Sequence, residues 1–279
     1  MKVLLLGGGG FIGRRIAGRL REAGCELAVP PRAALDFLHL REEKARPLLQ
    51  GCDAVVNCAG VMSRHADVLE TVHHHAPANL AQWARKEGVG RWLQLSALGA
   101  SPGKPQAFLG SKGRGDEALA ASGLDVAIGR PSVVYGRGGK SCGLFLKLAR
   151  MPLLPLPMGG AFDVQPVHAD DVAQGFAVWV MQPPANGTVV AMTGSTRLTL
   201  AAYLDVLRRT VYGKPPLRVL PLPLALLRPL LPLAGIASDG FLSRDSMALL
   251  QEGSYADCSD FAGLLGRNPL AAAEFYRHP

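Results

Sequence analysis

Gly7, Gly10 and Gly13 stand three residues apart in the stretch GGGGFIG, between a short apolar run and a helical pattern. Glycines so placed allow a tight turn, a close backbone approach to a diphosphate, and close packing of the next helix on the preceding strand. The amino end of that helix also favours the phosphate charge. The spacing therefore predicts a dinucleotide over the start of the first helix. A plain glycine-rich turn is the alternative, and the strand before the motif and the helix after it weigh against that.

Which dinucleotide depends on residues about 20 positions further on, where a carboxylate usually holds the ribose hydroxyls. This chain has Pro30-Pro31-Arg32 there, and a guanidinium suits a 2′-phosphate by charge and by its paired donors. Arg14 and Arg15 add to the local charge, while Asp36 is a nearby rival carboxylate. The reading favours NADP(H) over NAD(H). His73, His74 and His75 form a second cluster. Successive residues on an α-helix point about 100° apart, so the three imidazoles cannot share one ion. Adding His65 gives neither HExxH nor a zinc-like spacing. No metal site is predicted, and these histidines are expected at the cofactor rim or on the surface.

The elements that must position these residues alternate through the first half. Val3 to Leu6 reads as a central parallel strand, and Ile12, Ile16, Ala17, Leu20 and Ala23 share one helical face that Gly24 closes. Further strands are predicted at Glu26 to Val29, Asp53 to Asn57, Arg91 to Leu95 and Asp125 to Ile128. Helices are predicted from beyond Asn57 to about Lys86 and over Ser111 to Ala121. Repeated strand–helix–strand units imply a parallel sheet covered on both faces. After Arg130 prolines thicken, and helices are expected at Asp171 to Met181 and Leu200 to Val211. This predicts a nucleotide-binding domain over 1–135, with parts of 160–195 packing back on it, and a smaller irregular lobe over 136–279.

The 279 residues are 48% hydrophobic and carry a net charge of +8. The Lys and Arg residues are dispersed, with no recognition helix or aromatic–basic patch, so nucleic acid is not an expected partner. Five cysteines without a CxxC pair fit reduced thiols, and a cytoplasmic location is expected, peripheral to a membrane at most. The most apolar stretch, Val219 to Ile236, is broken by four prolines and Arg228. It is a poor transmembrane span but a candidate surface for a protein partner or a membrane complex.

The segments VLLLGGGGFIGRRIAGRL, DAVVNCAGV (53–61), WLQLSALGAS (92–101), GRPSVVYGRGG (129–139) and QPVHADDVA (165–173) resemble the short-chain dehydrogenase/reductase superfamily, in its extended or atypical branch. Within it the chain is similar to NAD-dependent epimerase/dehydratase-like proteins and to the 39 kDa subunit of respiratory complex I. The resemblance covers most of the chain and is strongest to about residue 180. It implies a Rossmann-type doubly wound sheet with a small C-terminal substrate lobe. It also implies cofactor contacts from Gly7, Gly10, Phe11, Ile12, Gly13, Arg32, Ala59, Gly60 and Ser96, with Lys112, Pro131 and Val133 on the nicotinamide side.

One motif of that family is broken. Its catalytic tyrosine, in YxxxK, exchanges a proton with the substrate, and its lysine lowers the phenol's pKa and holds the nicotinamide ribose. The matching residues here are Phe108-Leu109-Gly110-Ser111-Lys112, so the lysine is present and the phenol is not. Ala97 and Leu98 follow Ser96 where many members carry a polar catalytic group, with Ser101 as a substitute candidate. Two readings compete. In the first the chain holds the cofactor for structure, assembly or sensing. In the second it is an oxidoreductase or epimerase-like enzyme acting on a small-molecule substrate, with Tyr135 or Ser101 replacing the missing acid.

Overall fold

The computed structural model describes residues 1–223 and 251–278. Val3, Leu4, Leu5 and Leu6 are almost wholly buried, and a run apolar on both faces suits strand β1 (Lys2–Leu6), which has a neighbour on either side. Helix α1 (Phe11–Glu22) buries Gly13, Ile16, Ala17 and Leu20 against it. Beyond its end Gly24 adopts φ +79°, the left-handed conformation that glycine takes without strain. Gly18 lies within α1 and has open space where a Cβ would sit. Gly18→Ala is expected to raise stability in urea unfolding by about 0.5–1 kcal/mol, through the lower entropy cost of alanine in a helix. A loss of stability would show that this helix surface is contacted.

Strand β2 (Glu26–Ala28), helix α2 (Glu42–Leu49) and strand β3 (Ala54–Asn57) follow. Helix α2 went unforeseen: it is short and charged, carries Pro47 and buries only Ala45 and Leu49. The long helical pattern after β3 divides into α3 (Ala66–Glu70), a π-helical turn over Thr71–His75, and α4 (Ala76–Lys86). Then come β4 (Arg91–Leu95), α5 (Ala107–Ala120) and β5 (Asp125–Pro131). Helix α5 begins before the expected Ser111, and β5 outruns the expected Ile128. The remaining elements are β6 (Val134–Tyr135), α6 (Lys140–Ala149), β7 (Leu153–Pro157), β8 (Asp163–Val164), β9 (Val167–His168), α7 (Ala169–Met181), β10 (Thr188–Met192), β11 (Leu198–Thr199), α8 (Leu200–Tyr212), β12 (Arg218–Leu222) and α9 (Ser259–Leu265).

Six strands form one sheet in the order β10-β5-β4-β3-β1-β2, and the pairs from β5 to β2 are parallel. The chain leaves β1 for β2 on one side and then places β3 on the other. The strand order thus reverses at β1, and open α/β sheets bind ligands outside the carboxyl ends of the strands at such a point. This is a Rossmann-type doubly wound fold. On one face Leu4, Leu6, Val55 and Trp92 pack with Leu80, Ala81 and Ala84 of α4 and with Leu119 of α5.

Two compact units can be distinguished: Met1–Pro131 with Val172–Val190, and Ser132–Asp171 with Ala191–Pro279. The second has its own core, in which Phe145 of the unforeseen α6 packs with Leu154, Leu156, Tyr203, Leu204 and Phe275. Buried Arg208 donates to the carbonyl oxygens of Ala149, Met151 and Pro215, tying the end of α6 to α8. Of the apolar stretch 219–236, residues 219–222 lie in β12, whereas those from 224 on lie outside the described residues. No helix among the described residues is long and apolar enough to cross a membrane.

Candidate nucleotide-binding site

The glycine turn occupies the switch point. Gly7 ends β1 with φ +72°, and a Cβ there would lie 2.6 Å from the Ala59 amide nitrogen at the end of β3. A Cβ on Gly13 would lie 2.3 Å from the Gly7 carbonyl oxygen and 2.8 Å from the Gly8 Cα. These obstacles are backbone atoms, so neither glycine can be replaced without opening the turn. Gly10 is the N-cap of α1, and its own amide donates to the Gly7 oxygen at 2.9 Å. Phe11 and Ile12 follow it in the first turn of the helix, half-buried. A helix of twelve residues opens here with no side chain capping its amides, which suits an anionic ligand.

Beyond β2, the Arg32 side chain is exposed, with its Nε 3.6 Å from Asp36. Asp36 also accepts from the Leu38 amide and so caps the following 3-10 turn. The rival carboxylate is therefore engaged, while the guanidinium reaches into solvent. Arg15 is folded back over Phe11, donating to its carbonyl oxygen at 3.1 Å with its guanidinium 4.8 Å from the ring centre.

At the end of β3, buried Asn57 receives the Ala59 amide at 3.1 Å and donates to Gln94 at 3.0 Å, which shapes the loop through Gly60. Beside that loop, a Cβ on Gly60 would lie 3.6 Å from His73 Nε2 and 3.7 Å from Lys112 Nζ. The Val61 amide donates to His73 Nε2 at 3.2 Å. His73 Nδ1 lies 3.0 Å from Ser111 Oγ, and that hydroxyl donates to the Phe108 carbonyl oxygen at 3.1 Å. An imidazole that accepts at Nε2 donates at Nδ1, so the chain of bonds requires neutral His73. Burial, followed by the nearby Lys112 charge, holds its pKa far below the ordinary value. His73 was expected at a rim or surface; the π-helical turn instead directs it inward. Gly115 permits this, since a Cβ there would sit 2.0 Å from the His73 carbonyl oxygen.

Lys112 is buried and donates from Nζ to the Leu95 carbonyl oxygen at 3.1 Å. Burial lowers its pKa to about 8, against the opposing pull of Asp116 and Cys58. Its Nζ lies 5.7 Å from the centre of the Phe108 ring. One turn further along α5, buried Asp116 accepts from Ser96 Oγ at 2.8 Å and from Arg130 at 2.9 and 3.1 Å. Its other oxygen has no hydrogen-bond partner among the described residues. The Ser96 hydroxyl thus points to Asp116. The Asp116–Arg130 pair escapes sequence reading because it joins α5 to β5 across the fold. The same holds for the fork between Arg114 and Glu70, which lowers the Glu70 pKa to about 2. Glu70, His74 and His75 bring ligand atoms within 4.8 Å of one another, but the Arg114 guanidinium already neutralises that carboxylate.

Pro131 ends β5, and its carbonyl oxygen accepts from the Leu98 amide at 2.9 Å. Val133 and Tyr135 belong to the second unit. Tyr135 is 4% exposed in that unit's core, stacked on Phe275 at 4.8 Å, and burial raises its pKa.

A parallel sheet with a glycine turn at its switch point defines the class of Rossmann-type dinucleotide-binding proteins. More narrowly, the chain belongs to the NAD dependent epimerase/dehydratase family, whose model matches residues 3–191. It is 29% identical over 217 residues to NADH dehydrogenase (ubiquinone) 1 alpha subcomplex subunit 9 of Rattus norvegicus mitochondria, covering 70% of this chain and 57% of that protein. It thus spans little more than half the length of that relative. Ceramide reductase of Caulobacter vibrioides is 28% identical over 138 residues, which are 49% of this chain and 43% of that one. Among solved structures, a nucleoside-diphosphate-sugar epimerase from Staphylococcus aureus superposes with a TM-score of 0.77 at 17% identity, covering 99% of this chain and 100% of that one. A dTDP-glucose 4,6-dehydratase double mutant from Streptomyces venezuelae, with NAD bound, gives 0.72 at 22% identity, covering 99% and 95%. These likenesses establish the fold and a family that binds NAD or NADP.

Proposed function

We propose that this chain holds NADP(H) firmly, without turning it over, and serves an assembly or sensing role. One observation carries the reading: Lys112 is kept, buried beside Gly60, while Phe108 stands where the resemblance places the catalytic phenol. A phenyl ring has no proton to exchange, whereas an ammonium group can still bond a ribose hydroxyl. The neighbouring polar groups do not replace the acid. Ser96 gives its hydrogen to Asp116, and Ser111 gives its own to a backbone carbonyl. The exposed Arg32 beyond β2 supports NADP(H), with its guanidinium meeting the 2′-phosphate. The likeness to a subunit of a respiratory enzyme supports an assembly role over catalysis. The expected seat of this work is the cytoplasmic side of a membrane-bound partner complex.

The proposal is tested by incubating the protein with NADPH and a broad panel of aldehydes and ketones. The wild type is expected to show binding and no oxidation at 340 nm. Phe108→Tyr, which restores a phenol four residues before Lys112, is expected to gain measurable oxidation with part of that panel. Steady turnover by the wild type would overturn the non-catalytic reading.

A further inference from the structure

The second unit carries an apolar face that its own core does not use. In the parallel pair of β7 and β12, Leu154 and Leu156 point inward to the core, where Val219 also packs. The opposite face presents the cross-strand pairs Arg218–Leu153, Leu220–Pro155 and Leu222–Pro157. Leu153 and Leu220 are 50% and 48% exposed, and Met151 and Met158 at either end of β7 are 40% and 54% exposed. Met158 is also the only residue other than glycine with positive φ among the described residues, at +47°. A bulky side chain held outward on a backbone it disfavours points to a use for that side chain.

The two chain segments that build this face carry charge of one sign. Residues 147–160 and 212–223 contain no aspartate or glutamate, yet carry Lys147, Arg150, Lys214 and Arg218, all exposed. The acids nearest in sequence are engaged elsewhere, Asp163 by Arg197 and Asp205 by Arg209 and the Leu217 amide. Lys214 reaches the Arg150 carbonyl oxygen at 3.2 Å, which gathers cations at the Met151 end. Edge-to-edge pairing with a second copy is disfavoured, because Pro155, Pro157 and Pro221 offer no N–H for a ladder.

We propose that this face is a docking surface for an anionic phospholipid bilayer. Leu153, Leu220, Met151 and Met158 would enter the headgroup region, and Arg150, Lys214 and Arg218 would lie over lipid phosphates. Apolar side chains ringed by cations match both parts of such an interface, whereas either part alone binds it weakly. The inference stands apart from the nucleotide site.

The test is sedimentation of the full chain with vesicles of phosphatidylcholine alone and of phosphatidylcholine mixed with phosphatidylglycerol. Binding is expected only to the anionic vesicles and should fall steeply with salt. Leu153→Glu/Leu220→Glu and Arg150→Glu/Arg218→Glu should each weaken it by about tenfold or more while unfolding at the wild-type temperature. Absence of binding to both vesicles would overturn the proposal, as would equal, salt-insensitive binding to both. Concentration-dependent dimerisation abolished by the leucine variant would assign the face to a second copy of the chain instead.

Discussion

Replacing Lys112 by methionine is expected to stabilise the nucleotide-free protein at pH 7 while removing most of its affinity for NADPH. The ammonium group is buried on α5, and burial brings its pKa from 10.5 down to about 8. Between those values the unfolded chain binds more protons than the folded one, so stability rises with pH across that window. Below pH 8 the folded protein bears the full cost of a buried charge, about 3 kcal/mol for a drop of this size. Methionine fills similar volume without charge, but loses the bond to the Leu95 carbonyl oxygen and leaves Asp116 with the Arg130 guanidinium and the Ser96 hydroxyl. A net gain of about 1–3 kcal/mol in urea unfolding at neutral pH follows. The gain should shrink between pH 8 and 10.5. Loss of a charge-assisted bond to the cofactor should raise the NADPH dissociation constant about 10- to 100-fold. A variant less stable at every pH would show that Lys112 is a structural ion, not a strained binding group.

The second large effect lies in the glycine turn. Gly13→Ala places a methyl group 2.3 Å from the Gly7 carbonyl oxygen, and no side-chain rotation can relieve that contact. The amino end of α1 must shift away from β1, at a cost of about 1–3 kcal/mol. NADPH binding should weaken on the order of 100-fold, equivalent to about 2.7 kcal/mol, because the helix end no longer meets the diphosphate. Gly9→Ala is the control: nothing lies within 4 Å of its Cβ position, so its stability should match the wild type. Equal stability and affinity for Gly13→Ala would refute the packing argument.

What the sequence revealed and what it hid follow from locality. The β1–turn–α1 unit is legible because an apolar run, spaced glycines and a 3.6-residue period sit side by side, and Arg91 to Leu95 is a strand as expected. The π-helical turn over Thr71–His75 is not legible. It depends on Gly115, more than 35 positions away in the chain, leaving room for the His73 carbonyl. Asp116 gave no local signal either, since its partners Ser96 and Arg130 come from β4's end and from β5. Helix α6 was obscured by Gly139 and Gly143 and by Pro152 just beyond it, although Cys142, Phe145 and Ala149 bury one face. The stacking of Phe275 on Tyr135 is equally hidden, since the two rings come from distant parts of the chain.

The most direct measurement is a fluorescence titration of the purified chain with NADPH and with NADH, repeated with Arg32→Ala. The guanidinium bond to the 2′-phosphate predicts tighter NADPH binding in the wild type and a loss of about 10- to 100-fold for NADPH in the variant, with NADH little changed. Equal losses for the two nucleotides would contradict the role given to Arg32. Absence of binding to either by the wild type would contradict the account at its root.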